Sequence, residues 1–465
     1  MISFFRINDP YRIVYIFLLL VVVRIPVILL DLPFSVWFNK WLTIGELLAQ
    51  GKQLYVTLFD NSSPIAALYF QSVHFLFGTS EWPHYIISIL VCTHQAWLFN
   101  HILNSNKALK ENSFIPAYAY IILINSSFDF FIVTPALLAN TFILLTLSNI
   151  LKRLDKKVTD EMFFNSGIFM AIATLIYFPS IIFLFTFLII LILHTSAIPR
   201  RILLMLFGYL FIILLSALYF AVFGDLSNYG DQYFYASFSK VINYVGYRPL
   251  LGLSAVLLVI TLYAALRTNI RANFSNFQGR IQQVFIYLFI TGFLACLGSR
   301  ETYWATIIFL FAPLSFFVAH YFVVLRKRFW LIVNHWGYIA ICIGIYLFTS
   351  DTFKISDSLH THDIFISRST ERKTAMIMAD SMSAYSNYQP TTAFVNWPLS
   401  KSFFDQDISQ QEVIFIHKEL AENKPNTILD PSGLFPSILE FIPELQQQYK
   451  MTEKGVYTLS GKVMH

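Results

Sequence analysis

Eleven apolar runs divide most of this chain, each near the roughly 20 residues that a helix needs to cross a bilayer. They lie at about 13–31, 84–104, 113–128, 131–151, 163–178, 180–197, 201–223, 249–267, 282–299, 302–324 and 329–349. Backbone inside hydrocarbon must satisfy its own polar groups, so runs of this length have to become helices. Composition points the same way. Of the 465 residues 56% are apolar and 13% charged, with a mean hydropathy of +0.60, whereas soluble proteins carry about 25% charged residues. One further apolar stretch, 64–78, is short, begins at Pro64 and ends at Gly78. It is expected to lie in the interface as an amphipathic helix and not to form a twelfth span.

Charge supports that reading. With 64–78 in the interface, Lys107, Lys110, Lys152, Arg153, Lys156, Lys157, Arg200, Arg201, Arg267, Arg271, Arg280, Arg326, Lys327 and Arg328 all fall on the side of the N-terminus. The opposite loops hold only Lys40, Lys52, Lys240, Arg248 and Arg300. Lys and Arg favour the cytoplasmic side, so the N-terminus is expected there, and the loops 32–83 and 225–248 outside with the tail. The net charge of +5 is spread over these short loops. It is a topology signal and not the footprint of a nucleic-acid binder. Cys92, Cys296 and Cys342 sit within apolar runs and read as packing residues. The first run lacks a small-residue cleavage site and reads as a retained span.

After Ser350 the composition changes to charged and turn-forming residues. Thr392–Trp397, Thr427–Asp430 and Val456–Leu459 read as strands, with helical patterns at 411–423 and 435–449. The expected architecture is thus an all-α polytopic membrane protein with a small C-terminal α/β domain, divided at 349/350.

The loop after the first span is the most punctuated part of the chain. It reads Gly51-Lys52-Gln53-Leu54-Tyr55, then Phe59-Asp60-Asn61-Ser62-Ser63-Pro64, then Leu76-Phe77-Gly78. Farther on come Asn165-Ser166-Gly167 with Tyr177-Phe178-Pro179, Ser299-Arg300-Glu301-Thr302-Tyr303 leading to Ala312-Pro313-Leu314, and Pro425 through Tyr457. In this order the segments resemble the GT-C polyprenyl-phosphate-sugar glycosyltransferases, in particular the protein mannosyltransferase and lipid A aminoarabinose transferase branch. The resemblance implies a GT-C-like fold in a bacterial inner membrane, with the tail in the periplasm. It also implies a polyprenyl-phosphate sugar donor and a periplasmic acceptor. The chain departs from the family most where active members carry an acidic residue, often a pair, ahead of the loop glycine: it has Val36-Trp37-Phe38-Asn39 there, and Ser63 also stands in place of one proline of the family's Pro-Pro pair. That departure supports an alternative, a non-catalytic GT-C-like scaffold or assembly subunit with envelope protein partners. A transporter would call for inverted repeats with paired broken spans, which the sequence does not display.

Sugar transfer from a lipid phosphate needs a carboxylate to take the acceptor's proton and cations to offset charge on the leaving phosphate. Three carboxylates are candidate bases. Asp31 ends the first span, and is either the base or a solvated helix end. Asp60 precedes Asn61-Ser62-Ser63-Pro64, a helix N-terminus signature, and is either catalytic or a cap. Glu46 falls off the apolar stripe Trp37, Trp41, Ile44, Leu47 and Leu48, and is either a base or part of a solvated face. For substrate binding the candidates are Arg300, which suits a lipid phosphate, Tyr303, Asp129, Arg248 and Tyr55. Asp129 lies between Phe128 and Phe130, where an ionisable group near hydrocarbon suggests function; a turn residue is the plain alternative. Tyr303 can instead belong to the aromatic belt. Arg24, near the middle of the first span, requires a buried acceptor. The aromatic loop 225–248 suits sugar stacking, or simply the interface. His360-Thr361-His362 has no evident third ligand, so no metal site is assigned. The sequence names no cofactor; the resemblance leaves a divalent metal open.

Overall fold

Each expected span coincides with a helix of the computed structural model, which describes residues 2–29, 34–155, 159–194, 199–239, 242–243, 245–271, 274–299, 301–355, 365–366, 372–379, 384–404, 408 and 410–460. The helices are Arg12–Leu29, Trp82–Ser105, Ile115–Ile124, Pro135–Asp155, Glu161–Ile176, Ile181–His194, Pro199–Phe223, Tyr247–Arg271, Asn276–Gly298, Phe311–Val324 and Arg328–Ile355. Among the described residues seven helices are long and apolar enough to cross a membrane, and shorter apolar helices accompany them. The protein is therefore a polytopic helical membrane protein with a small C-terminal sheet.

The chain divides into two units. The first comprises Met1–Leu32, Glu81–Ser216 and Asn243–Thr361; the second comprises Pro33–Ser80, Ala217–Ile242 and His362–His465. The second unit thus takes in the long first loop as well as the tail.

In the first unit the segment Trp304–Val324 is 94% buried and acts as the axis, while the helix Pro199–Phe223, whose residues from Ala217 on belong to the second unit, is only 17% buried. Two glycines bring helices close. A Cβ on Gly167 would lie 2.0 Å from the Met205 carbonyl oxygen, and one on Gly208 2.2 Å from that of Phe164. Small residues permit such backbone approach where no hydrophobic effect drives helices together. Arg24 finds the acceptors its position demands: it is fully buried, donates to Ser88 Oγ at 2.9 Å and Asn125 Oδ1 at 3.4 Å, and lies over the Phe131 ring.

In the second unit, Val36–Ala49 packs on Pro64–Phe77 at Gly45, where a Cβ would meet the Phe70 backbone at 2.7 Å. The tail carries a five-stranded sheet in the order Tyr388–Pro390, Lys373–Ile377, Thr427–Leu429, Val456–Leu459, Tyr449–Glu453. The first three strands are parallel, and the last two add antiparallel. Gln410–Glu422 and Phe435–Phe441 cover it around a core of Met376, Ile428, Phe394, Ile416, Leu420 and Phe435.

Thr427–Leu429 and Val456–Leu459 are strands as expected, but Thr392–Trp397 is not. Its apolar alternation has another cause. Phe394 stacks on Phe59 at 6.3 Å, and Phe59 exchanges backbone hydrogen bonds with Ala393 and Asn396. Lys373–Ile377, second in the sheet order and five residues long, is a strand that the sequence reading did not pick out.

Candidate functional site

The second unit gathers polar groups around Asp60, whose side chain is wholly buried. Lys40, on Val36–Ala49 and 1% exposed, places Nζ 3.4 Å from Asp60 Oδ1. Asn396 Nδ2 donates to the same oxygen at 2.9 Å. Asp60 Oδ2 accepts from the Ser62 backbone N–H at 2.7 Å and from the Ser62 hydroxyl. The Asp60 backbone N–H donates to Gln232 Oε1 at 3.1 Å. Asn61 Oδ1 accepts from Lys40 Nζ at 2.9 Å and from Asn396 at 3.0 Å. Three chain segments distant in sequence therefore meet on one residue, two of them on its carboxylate and the third on its backbone N–H. The local reason is the turn before Pro64: Asp60 answers the N–H of Ser62, as Asx residues do ahead of helices.

Tyr55 stands beside this cluster. It is fully buried, and its hydroxyl donates to the Ser62 carbonyl. Its ring meets Phe220 at 5.1 Å and Tyr229 at 5.4 Å. Its φ is +65°, a conformation in which a bulky residue is an outlier. Burial, reinforced by Tyr233, Tyr229 and Asp60, pushes the phenol well above its ordinary value of 10.0. It stays a neutral donor.

Glu46 is also buried, so the polar flank of its helix is not solvated. Its two oxygens each take Arg372 Nη2 at 2.7 Å, and Gln389 Nε2 adds a third bond at 3.0 Å. Lys52 reaches Glu419 Oε1 at 3.6 Å and the Thr391 carbonyl. Desolvation draws its pKa below 10.5, although Glu419 pulls the other way.

Asp129, Tyr303 and Arg248 belong to the first unit. Asp129 is 1% exposed, and its Oδ2 accepts from the Ala305 backbone N–H at 2.9 Å, capping the 3₁₀ turn Trp304–Leu310. Tyr303 is buried with its ring edge-on to Tyr177 at 6.4 Å, and Tyr177 shares a 2.7 Å bond with Ser299. Arg248 is exposed in the first turn of Tyr247–Arg271. Asp31, Arg300 and the His360/His362 pair lie outside the described residues.

In loop 225–248, Tyr229 and Tyr233 are buried against Tyr55, whereas Tyr235 and Phe238 are exposed; Tyr244 lies outside the described residues. Sequence reasoning passed over Lys40, Gln232, Asn396, Arg372 and Gln389. Lys40 carried a signal, a lone cation between Trp37 and Trp41. Among the described residues no group of three or more His, Cys, Asp or Glu is placed to hold a metal ion.

A family model described as "Family of unknown function (DUF6427)" matches residues 65–356. No curated protein matches the chain. Two solved structures do. ArnT from Cupriavidus metallidurans bound to undecaprenyl phosphate is 11% identical, with 97% of this chain and 99% of that one covered and a TM-score of 0.52. The archaeal oligosaccharyltransferase AglB from Archaeoglobus fulgidus, in complex with an inhibitory peptide and a dolichol-phosphate, is 11% identical, with 97% and 74% covered and a TM-score of 0.48. The ArnT likeness spans both chains and shows that the fold here is GT-C-like.

Proposed function

This chain belongs to the family of unknown function DUF6427, and we propose that it is a GT-C-like transferase that moves a sugar from a polyprenyl-phosphate donor to a periplasmic acceptor. The observation that carries the reading is the end-to-end likeness to ArnT, a protein solved with undecaprenyl phosphate bound. In this proposal the chain is a multi-pass protein of the bacterial inner membrane, with its N-terminus cytoplasmic and the loop 32–83 and the tail periplasmic. Membrane lipid and the polyprenyl-phosphate donor are its partners.

The acceptor's nucleophilic atom attacks the anomeric carbon. The bond from that carbon to the phosphate oxygen breaks, and the phosphate leaves with the electron pair. Asp31, which follows the helix Arg12–Leu29 in sequence, is the proposed base that takes the acceptor's proton. Arg300, which follows Ser299 in sequence, offsets charge on the phosphate. Asp60, Glu46 and Tyr55 are then positioning residues: each has its polar atoms taken by the protein, and together they hold the loop that carries Gly51 and Pro64.

A second reading has an observation of its own. The carboxylates of Asp60, Glu46 and Asp129 are all buried and bound to protein donors, as expected of a non-catalytic GT-C-like scaffold serving an envelope assembly.

Asp31→Asn separates the two. The transferase reading expects loss of the acceptor's sugar, measured by mass spectrometry of envelope glycans, while the variant stays in the membrane and still binds undecaprenyl phosphate. Unchanged glycans together with unchanged protein level overturn it in favour of the scaffold. Purified protein that fails to retain undecaprenyl phosphate overturns the donor assignment.

A further inference from the structure

A cavity of about 510 Å³ opens in the first unit, at the end of the helices that shares a side with the chain's N-terminal segment. It is lined by Arg6, Lys110, Arg326 and Lys327, with Glu111 the single carboxylate and Trp330 at its edge. We propose that this cavity binds the phosphate headgroup of an anionic membrane lipid.

The cations come from three separate chain segments, and the protein fixes them in place. Arg6 donates from Nη2 to the Val323 carbonyl at 3.1 Å and lies 3.3 Å from Glu111 Oε2. Its neighbour Phe5 accepts from the Phe114 N–H at 2.8 Å and stacks on Tyr118 at 4.5 Å, so the arginine is anchored at its base. The Lys110 loop is held by Gln278 Nε2, which donates to the Leu109 carbonyl at 3.2 Å. Arg326 and Lys327 occupy the short link between Phe311–Val324 and Arg328–Ile355. The Leu325 N–H bonds Tyr321 O at 3.1 Å, and Lys327 O accepts from Leu331 at 3.1 Å, so both sides of the link are fixed.

Charge within the cavity is not balanced by the protein. Four cations face one carboxylate, and that carboxylate is already bonded to Arg6. Among the described residues, Lys110, Arg326 and Lys327 have no ion pair. An ordinary positive loop disperses its charge into water; here three loops line one hollow, which is the arrangement that holds lipid head groups between transmembrane helices. The surroundings favour lipid over a soluble anion. The cavity sits where two helices able to cross a membrane, Trp304–Val324 and Arg328–Thr349, end and begin. Phe329 and Trp330 next to it are 70% and 49% exposed, as residues at the headgroup level are. This site is independent of the sugar-transfer reading and stands or falls apart from it.

The test uses the full chain in nanodiscs of phosphatidylcholine doped with cardiolipin, with retained lipid counted by native mass spectrometry. Wild-type protein is expected to retain cardiolipin over phosphatidylcholine. Each cation near an anionic surface is worth about fivefold in affinity, so Arg326→Gln with Lys327→Gln lowers retention by about tenfold or more. Glu111→Gln, which removes the opposing charge, raises retention by about fivefold, a gain that misfolding cannot mimic. Arg200→Gln, at an exposed cation paired with Asp160 outside the cavity, leaves retention as it was. Equal retention by the double variant and wild type overturns the proposal. So does displacement of cardiolipin by inorganic phosphate, which would make this a soluble-anion site.

Discussion

The Asp60 cluster in the second unit and the Arg6 cavity in the first hold similar kinds of charge and dispose of it differently. Around Asp60, the carboxylate oxygens receive Lys40, Asn396 and Ser62, and the carboxylate and the cation are at most 1% exposed. Around Arg6, cations outnumber carboxylates and keep contact with solvent. Taking an ion pair out of water costs several kcal/mol per ion unless geometry and further hydrogen bonds repay it. A cluster that meets this condition internally is architecture. A cluster that leaves charge unanswered retains attraction for something outside the protein.

The largest effect should come from breaking the buried pair. Asp60→Ala leaves Lys40 buried without its counter-charge and should lower stability by about 3–5 kcal/mol, measured by unfolding in detergent. Replacing both partners, Lys40→Met with Asp60→Asn, should recover most of that loss, because an absent pair costs less than half of one. A small loss in the single variant would make the cluster incidental to the fold. Glu46→Gln weakens a charged contact in which Arg372 Nη2 serves both carboxylate oxygens, and should cost about 2 kcal/mol.

Tyr55→Phe sharpens the comparison through pH. The buried phenol has its pKa raised above 10.0, so the folded state keeps a proton that the unfolded chain gives up. Its contribution is fully present below pH 10 and is lost as pH rises above that, by about 1.4 kcal/mol per pH unit. The stability advantage of wild type over Tyr55→Phe should therefore shrink between neutral pH and pH above 10. An advantage that holds constant would mean the hydroxyl is not buried in solution.

The smallest effect on stability belongs to the cavity. Lys327→Gln should shift unfolding by no more than about 0.5 kcal/mol, because an exposed cation without a protein partner contributes little to the fold. A large loss there would turn the cavity into another piece of architecture.

Particular residues show how far the sequence could be read. The helices were legible because hydrocarbon imposes a length and an apolar content that no loop can match. Arg24 was correctly expected to need acceptors within the membrane, since its cost there does not depend on the fold. Glu46 and Lys40 were harder. Helical periodicity placed Glu46 off the apolar stripe, and water was one natural partner for that face; Arg372 and Gln389 from the tail took it instead. Thr392–Trp397 alternates as a strand does, but its backbone is spent on Phe59. For Glu46 and Thr392–Trp397 the partner lies hundreds of residues away in the chain, and for Lys40 it lies 21 residues off in a turn; periodicity carries no information about either.

The amino-acid sequence alone determined that the chain is polytopic, where its spans lie and that a mixed α/β segment closes it, because those properties follow from local hydropathy and turn chemistry. Only the tertiary structure decided which charges are answered within the protein and which are not. Pairing is a matter of distance in space, and a carboxylate reads the same in sequence whether its partner is a lysine, a backbone N–H or water.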